Sequence, residues 1–287
     1  MQNPIAALVF GSCAVLATPL HADTLTPCLQ GAATPAIVAE VTDQLELRLE
    51  DERHIRIAGL EQLTRLSPDG TLAARAELTA LLKGRTIALR PLAPKSDRWG
   101  RSPAQVFGPV VPPVADGLPP VPLPYLNEAL VAAGLFRVQP LSEANDCLAI
   151  LLRAEGEARE AGFGLWADPA NAPIDATDTD ALAARNGQFT LVQGRVRRVG
   201  QGRALAYVDF GERRSDFSIV VAKRNMKRFV QAGKPLEGLT GQVLRVRGVI
   251  ETRFGAQIEI SGPEEMEIIS GSGEEALTKA VDKGTGR

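Results

Sequence analysis

The segment HIRIAGLEQLTR, residues 54–65, is the first stretch of this sequence that could carry out chemistry. It begins with a strand pattern, which places Arg56 near the end of a predicted strand, where a catalytic arginine could act. The loop that follows contains one acid, Glu61, and then the neutral residues QLT. The segment is therefore either an active site or the remains of one.

A second group of candidates is formed by arginine and aromatic residues beyond position 186. Arg195 and Arg197 alternate with an apolar residue, as do Arg245 and Arg247, so each pair projects from one face of its predicted strand. Aromatic residues lie near them in the sequence at Tyr207, Phe210, Phe217 and Phe254. Proteins bind single-stranded nucleic acid with rings that stack on bases and cations that meet phosphates. The pattern favours such a polyanion as partner, although some of these rings must fill a core and exposed arginines also serve solubility.

The two groups of candidates belong to parts of the chain with opposite charge. The whole chain of 287 residues has a formal net charge of −2. Residues 23–168 contain 14 Lys and Arg against 19 Asp and Glu, or −5, whereas residues 186–261 contain 14 against 6, or +8. The second part is therefore the one that would attract a polyanion.

Residues 23–168 combine strand and helix patterns. Alternating or branched residues predict strands within AIVAEV, LELRLE, HIRIAGL, GRTIALRPL and SPAQVF. Apolar residues at helical spacing predict helices over 72–84, 126–135 and 146–162. Seven prolines in the segment 108–124 exclude an interior strand there. We expect an extended surface insertion at this point, or a peptide-recognition loop.

A second unit is predicted over 187–269, after a linker rich in Ala, Asp, Thr and Pro over 169–186. Its pattern indicates three strands, a short helix over about 223–232 and two more strands. This order suits a small five-stranded barrel of the OB type. Residues 270–287 are polar and contain glycine, so we expect them to be a disordered tail.

The apolar segment near the N-terminus is too short for a clean membrane span and is interrupted by Pro19. We expect residues 1–22 to be a signal peptide, which predicts a secreted or periplasmic protein with no transmembrane span in the mature chain. A lipoprotein modified at Cys13 and an inner-membrane anchor are the alternatives. Cys28 and Cys147 then remain as a pair that suggests a disulfide in an oxidising compartment, the alternative being two unrelated buried thiols.

Histidine-based chemistry finds little support in the sequence. The chain has two histidines, His21 within the expected signal peptide and His54 on a predicted strand. A Ser-His-Asp triad, a histidine-metal nuclease and a zinc site of the His/Cys type are therefore disfavoured. The segment GQGR over 200–203 predicts a hairpin turn, not a loop that cradles phosphate at the start of a helix.

Five segments resemble, in order, the pattern of the staphylococcal nuclease-like (thermonuclease) family over about 130 residues. They are AEVTDQLELRLEDERHIRIAGLEQL, LAARAELTALLKGRTIALRP, DRWGRSPAQVF, LNEALVAAGLFRV and AEGEAREAGFGLW. The resemblance implies a mainly β fold with helices (α+β), in which residues 23–168 form an OB-type barrel that carries helices. The segments AYVDFGERRSDFSIVV and LRVRGVIETRFGAQIEISGPEEMEII resemble the domain that follows the nuclease domain in some exported members, which implies a second OB-like barrel.

The resemblance also implies phosphodiester hydrolysis, for which this family uses two arginines, a glutamate base and a calcium ion held by two aspartates. The arginines fall on Arg56 and Arg101, and both are present. Arg98 and Trp99 fall on neighbouring positions that approach a terminal phosphate. The cationic half of the implied site is therefore retained.

The carboxylates of the implied site are replaced. One metal aspartate falls on Leu45, the other falls on Glu61, and the base falls on Thr64. Strand alternation sends Glu46 to the opposite face from Leu45, so we do not expect Glu46 to take over. We therefore expect calcium to bind only if the site has been rebuilt, and we expect no other cofactor. We also expect no side chain in this site that can remove a proton from water.

Three hypotheses follow from these observations. The first is an exported nuclease-like scaffold that has lost hydrolysis and binds single-stranded nucleic acid or another polyanion through its arginines. The second is an active phosphodiesterase with a rebuilt site, which requires a carboxylate near a water molecule between Arg56 and Arg101. The third is an envelope protein-interaction module that uses the proline-rich insertion.

Overall fold

The computed structural model of the chain describes residues 31–61, 68–92, 96–109, 124–141 and 145–269. Strands dominate the structure and helices accompany them, so the predicted mixed α+β class is confirmed. Several expected features lie outside the described residues: the signal peptide over 1–22, Cys28, Thr64, most of the proline-rich insertion and the tail over 270–287.

The first sheet is a closed barrel of five strands. They are β1 (Thr34–Val41), β2 (Leu47–Leu49), β3 (His54–Ile57), β4 (Thr86–Pro91) and β5 (Arg101–Phe107). Neighbouring strands follow the order β1-β2-β3-β5-β4, and β4 pairs with β1 to close the barrel. All pairs are antiparallel except β3 with β5, which run parallel.

Alternation along β3 determines which side chains point out of this barrel. Ile55 and Ile57 are buried in the core, whereas His54 and Arg56 are half-buried on the outer side. β5 runs beside β3 with Arg101 opposite His54. Residues opposite each other on paired strands share a face, so the pairing brings Arg56 and Arg101 to the same outer surface.

Three helices pack on the first barrel, and their buried residues join its core. They are α1 (Pro68–Leu82), α2 (Leu126–Ala132) and α3 (Leu148–Ala161). Each predicted helix is therefore present, with ends that differ by a few residues. Asn127 ties α2 to the barrel, because its Nδ2 donates to the Ala58 carbonyl at 2.7 Å and its Oδ1 accepts from the Val106 amide at 3.0 Å. No helix in the described part of the chain is long and apolar enough to cross a membrane.

The second sheet has eight strands and its own hydrophobic core. They are β6 (Ile174–Asp175), β7 (Phe189–Arg195), β8 (Arg198–Gln201), β9 (Leu205–Asp209), β10 (Ser218–Ala222), β11 (Val243–Thr252), β12 (Ala256–Ile260) and β13 (Met266–Ile268). Their order is β6-β7-β11-β12-β10-β9-β8, with β13 paired to β11. A short helix, α5 (Met226–Gln231), lies between β10 and β11, close to its predicted position.

Strands β7 and β8 are consecutive parts of one bent segment. Two residues, Val196 and Arg197, separate them. The Val196 amide donates to the Gln242 carbonyl, next to β11, whereas the Arg197 amide donates to the Asp209 carbonyl on β9, both at 2.9 Å. The chain therefore changes its partner strand between these two residues. Counted as one strand, this segment gives the second sheet the connectivity of the first barrel, with β10 and β12 as the parallel pair.

The segment expected to be a linker, 169–186, is ordered and belongs to the second unit. It contains β6, which pairs with β7, and α4 (Thr179–Ala184). Asp178 caps α4, since its Oδ1 accepts from the Ala181 amide at 3.0 Å. Ala176 and Leu182 are buried in the core of the second sheet, which explains why this segment is folded.

A buried ion pair joins the two units. Arg247 on β11 has a fully buried side chain, and its Nη2 lies 2.9 Å from Oε2 of Glu155 on α3. Its Nη1 donates to the Val138 carbonyl at 3.0 Å, and Glu267 on β13 also contacts its guanidinium. Beside this pair lies a small apolar cluster of Ala158, Trp166 and Leu191.

Candidate functional site

The two retained arginines, Arg56 and Arg101, lie near each other on the outer surface of the first barrel. Burial lowers the pKa of Arg56, and the positive charge of Arg101 lowers it further, against the opposing effects of Glu46 and Asp97. These four charged groups are therefore close enough to influence one another. The structure thus brings the predicted arginine pair together, with two acids beside it.

The expectation that Glu46 points away from this surface is wrong. Residues 42–46 form a turn, in which the Leu45 amide donates to the Thr42 carbonyl at 3.0 Å. Leu45 has a left-handed φ of 59°, so the strand alternation on which the expectation depended begins only with β2. Glu46 is 6% exposed, and its Oε1 lies 3.2 Å from Nη1 of Arg101.

The two positions aligned with metal ligands do not form a calcium site. Leu45 is buried in the barrel core. Glu61 is also buried, and its Oε2 accepts from Nε of Arg137 at 2.7 Å. Calcium prefers about six to eight oxygen ligands with several carboxylates among them. The described residues contain no group of three or more His, Cys, Asp or Glu side chains that could hold a metal ion. The residues present therefore do not fit the ion that the resemblance implies.

Asp97 holds Arg101 in place from the loop before β5. Its Oδ1 accepts from the backbone amides of Trp99 and Arg101 at 2.9 Å, and its Oδ2 accepts from Nε of Arg101 at 2.8 Å. Desolvation acts to raise the pKa of Asp97, but these hydrogen bonds outweigh it and hold the pKa below its usual value. Asp97 was not among the predicted residues, although its position four residues before Arg101 in DRWGR could have identified it.

Trp99 forms an exposed aromatic surface beside the arginines. Its side chain is largely in water, with the residue 61% exposed. The guanidinium carbon of Arg98 lies 3.9 Å from the ring centroid, and that of Arg101 lies 4.7 Å away. An exposed ring with cations beside it offers an aromatic surface together with charges that can meet phosphate. The structure therefore brings the predicted residues Arg98, Trp99 and Arg101 together as one surface.

The enclosed space beside Arg56 is very small. Nη2 of Arg56 donates to Oε1 of Gln139 at 2.9 Å, a partner for which the sequence gives no signal. The cavity next to it, lined by Leu45, Ile57 and Phe136 among others, has a volume of ≈ 10 Å³. This is room for about one water molecule.

The predicted binding role of Arg247 is wrong, because this residue is not accessible. β11 lies between β7 and β12, and its outer face is covered by α3, which buries the Arg247 side chain against Glu155. Arg245 on the same face is half-buried and donates from Nη2 to Oε1 of Gln193 at 2.7 Å. Burial lowers the pKa of Arg245 to about 10, and the nearby charge of Arg159 adds to this effect.

The other predicted residues of the second unit lie on different surfaces. Arg195 and Arg197 are exposed, and Arg195 donates from Nη1 to the Gly241 carbonyl at 2.8 Å. Tyr207 is half-buried on β9, which is separated from β11 by two strands. Phe210 and Phe217 belong to the core. The four arginines and Tyr207, which the sequence grouped together, therefore lie on at least two different surfaces of the second unit.

The expected disulfide involves one described residue. Cys147 is buried at the start of α3, and Nε2 of Gln105 donates to its Sγ at 3.2 Å. Its expected partner Cys28 lies outside the described residues, so the disulfide stays a prediction.

The chain matches no protein-family model, and no curated protein is a significant match to it. The resemblance to the thermonuclease family therefore stays a prediction from the sequence motifs, beside which the structure gives the geometry that surrounds Arg56 and Arg101. That geometry comprises a closed five-stranded barrel, a parallel pair of strands that bear the arginines, and three helices packed on the barrel.

Proposed function

We propose that this chain is an exported, thermonuclease-like scaffold that binds nucleic acid or another polyanion without cleaving it. The order of the five family-like segments supports the resemblance, as does the closed barrel that carries Arg56 and Arg101 on one outer surface. The connectivity of the second sheet, with β7 and β8 as one bent strand, supports a second OB-like barrel.

The loss of hydrolysis is supported above all by the state of the remaining carboxylates. Glu61 accepts from Arg137 at 2.7 Å, and Glu46 lies 3.2 Å from Arg101. A general base must instead accept a proton from a water molecule that faces the phosphorus atom. Both remaining carboxylates are thus paired with guanidinium groups, which opposes a role as general base.

Binding is supported by exposed cations and rings. The exposed ring of Trp99 lies beside the guanidinium groups of Arg98 and Arg101, and residues 186–261 carry a net charge of +8. Each phosphate that a protein cation neutralises releases counterions, so such binding weakens as the salt concentration rises. Salt dependence is therefore the property that separates this proposal from a protein-interaction module, whose expected element is the proline-rich insertion.

The test measures cleavage and binding on the same full chain. Plasmid DNA and a labelled single-stranded oligonucleotide are incubated with and without Ca²⁺, and anisotropy is recorded between about 50 and 200 mM salt. We expect intact nucleic acid in every sample and binding that weakens with salt. Cleavage that Arg101→Ala abolishes would overturn the loss of hydrolysis. The absence of salt-dependent binding would overturn the binding function.

A rebuilt phosphodiesterase is the second candidate, and the position of Glu46 favours it. This carboxylate lies beside Arg101 and is close enough to Arg56 to affect its pKa. In that alternative Glu46 would activate water without an ion at Leu45. Cleavage that is lost in Glu46→Gln but kept in Glu128→Gln, an acid paired with Arg153 on α3, would support it. The alternative fails if the unchanged protein does not cleave.

A further inference from the structure

The second unit carries a groove, and most of the residues that line it were not among those predicted to bind a polyanion. It lies on the outer face of β8, β9, β10 and β12, and its volume is ≈ 490 Å³. Loops that follow β8, β9 and β11 border it. Ala206 and Val208 of β9 are buried in the core, so Tyr207 between them faces the groove. The size is within the range of about 300–1,000 Å³ that binding pockets for organic molecules have.

Two aromatic rings line this groove. Phe254, between β11 and β12, is 80% exposed, which is unusual for a ring that burial would stabilise. The guanidinium carbon of Arg214 lies 5.5 Å from its centroid. Tyr207 has Gly200 opposite it on β8 and Val220 opposite it on β10. No atom lies within 4 Å of where a side chain at Gly200 would begin, so one flank of the tyrosine is open.

The charged groups of the groove are four arginines and three acids: Arg198, Arg213, Arg214, Arg253, Asp209, Asp216 and Glu259. Asp209 pairs with Arg198 at 2.7 Å, and Asp216 accepts from the backbone amide of Arg213 at 2.9 Å. These two acids therefore organise the wall of the groove. Within the described part of the chain, no carboxylate forms an ion pair with the guanidinium of Arg213 or Arg214. Two cations thus remain to meet a ligand's phosphates.

We propose that this groove binds single-stranded nucleic acid, with bases stacked on Tyr207 and Phe254 and phosphates held by Arg213 and Arg214. A duplex presents the edges of its bases in the grooves, whereas flat rings need an exposed base face, which a single strand offers. The assignment rests on the proposed polyanion-binding function. It adds the site, the form of the nucleic acid and a leading contribution from stacking.

Two other arginines of the same unit provide a matched control. Arg195 and Arg197 are exposed and do not line the groove. Replacing both removes the same charge as replacing Arg213 and Arg214. Arg247, on the outer face of β11, is buried against Glu155 of α3 and is therefore not accessible to a strand of nucleic acid. Comparing the two double variants therefore distinguishes binding at the groove from general electrostatic attraction to the basic second unit.

The experiment measures fluorescence anisotropy of labelled single-stranded oligothymidine on the full chain. We expect Tyr207→Ala and Phe254→Ala each to weaken binding about 10-fold, in the range that loss of one base stack produces. Tyr207→Phe keeps the ring and should bind within about two-fold of the unchanged protein. Arg213→Ala/Arg214→Ala should reduce the slope of log affinity against log salt by about 1.4, at roughly 0.7 for each phosphate contact. Arg195→Ala/Arg197→Ala should leave the effect of the ring variants unchanged.

Each of the other possible outcomes of this experiment contradicts a different part of the proposal. Unchanged affinity in both ring variants would overturn the groove but leave the polyanion-binding function standing, whereas no binding by the unchanged protein would overturn both. Equal competition by a duplex of the same sequence would overturn the choice of a single strand. Ring-dependent binding of a neutral chito-oligosaccharide without oligothymidine binding would assign the groove to glycans instead. If Tyr207→Ala fails to fold, Phe254→Ala at its exposed position decides the result.

Discussion

A buried carboxylate needs a metal ion or a cation beside it, because an unpaired charge is costly to bury. Glu61 is 4% exposed, and the guanidinium of Arg137 lies 2.7 Å from it. Leu45, at the other aligned position, is apolar and packed in the core. Both positions are therefore stable in the folded barrel without calcium. Whether a metal ion or a cationic side chain accompanies the buried carboxylate therefore determines the chemistry of the site.

Restoring the residues that the family resemblance implies should not, by itself, restore calcium binding. In Leu45→Asp/Thr64→Glu, Arg137 still engages Glu61, so we expect no calcium binding by calorimetry. Loss of the buried leucine should lower the free energy of unfolding by about 2–5 kcal/mol, measured with urea. Adding Arg137→Gln removes one cation that engages Glu61 and should strengthen any calcium binding relative to the protein with Arg137 intact.

Leu45→Asn is the control for this prediction, because it removes the same apolar contacts without adding a charge. Its stability should fall by less than that of the Leu45→Asp/Thr64→Glu protein, because no charge is buried, with no response to calcium in any combination. Calcium binding in the Leu45→Asp/Thr64→Glu protein with Arg137 intact would show that the buried ion pair does not limit the site.

At the scale of elements, the ends of α2 and α3 meet through glycines. Gly134 follows α2 with φ of 68°, and Gly164 follows α3 with φ of 54°. A Cβ atom on Gly134 would lie 2.1 Å from the carbonyl oxygen of Phe163, which is far inside contact distance. The NEALVAAGL and GFGLW segments are thus fixed against each other by backbone contact, which requires glycine on both sides.

Gly134→Ala should therefore destabilise the protein much more than Gly84→Ala. Both glycines have a left-handed φ, but nothing lies within 4 Å of a Cβ placed on Gly84. We expect a loss of about 1–2 kcal/mol for Gly84→Ala from the backbone conformation alone. Gly134→Ala adds a clash and should lose about 3–5 kcal/mol in total. Urea unfolding midpoints at an unchanged m-value measure both, and equal losses would contradict the role of the backbone contact.

Elements with a strong periodic pattern were predictable from the sequence, and short or bent ones were not. The helices α1, α2 and α3 and the five strands of the first barrel each carry enough apolar residues at regular spacing. β6 has two residues, and α4 lies in a segment rich in Ala, Asp and Thr, so neither shows an apolar period. The site followed the same rule: Arg56 and Arg101 lie on regular strands. Glu46 lies in a turn where alternation does not apply.

The burial of Arg247 could not be predicted for a different reason. Its alternation with apolar neighbours on β11 is real, and one face of the strand does belong to the core. The other face meets α3 of the first unit, through Glu155, 92 residues away in the sequence. The local sequence pattern contains no information on such a distant contact. Arg247 was therefore expected in solvent, although it lies between the two units.

At the scale of the whole molecule, the segment 137–139 links the candidate site to the contact between the units. Arg137 engages Glu61, and Gln139 accepts from Arg56. Between them, the Val138 amide donates to Oε1 of Glu155 at 2.7 Å, and the Val138 carbonyl accepts from Arg247. Three successive residues thus connect the arginine surface of the first barrel with the second unit. A change at the contact between the units can therefore alter the position of Arg56.

We expect this contact to make the two units unfold together. Calorimetry of the unchanged chain should give one transition whose calorimetric and van't Hoff enthalpies agree. Glu155→Ala leaves Arg247 buried with one partner fewer, so it should cost about 3–5 kcal/mol and separate the unfolding into two transitions. Glu128→Ala breaks an exposed pair with Arg153 and should cost at most about 1 kcal/mol with one transition retained. Two transitions in the unchanged protein, or equal effects of the two variants, would mean that the units are energetically independent and that Arg56 is positioned by the first barrel alone.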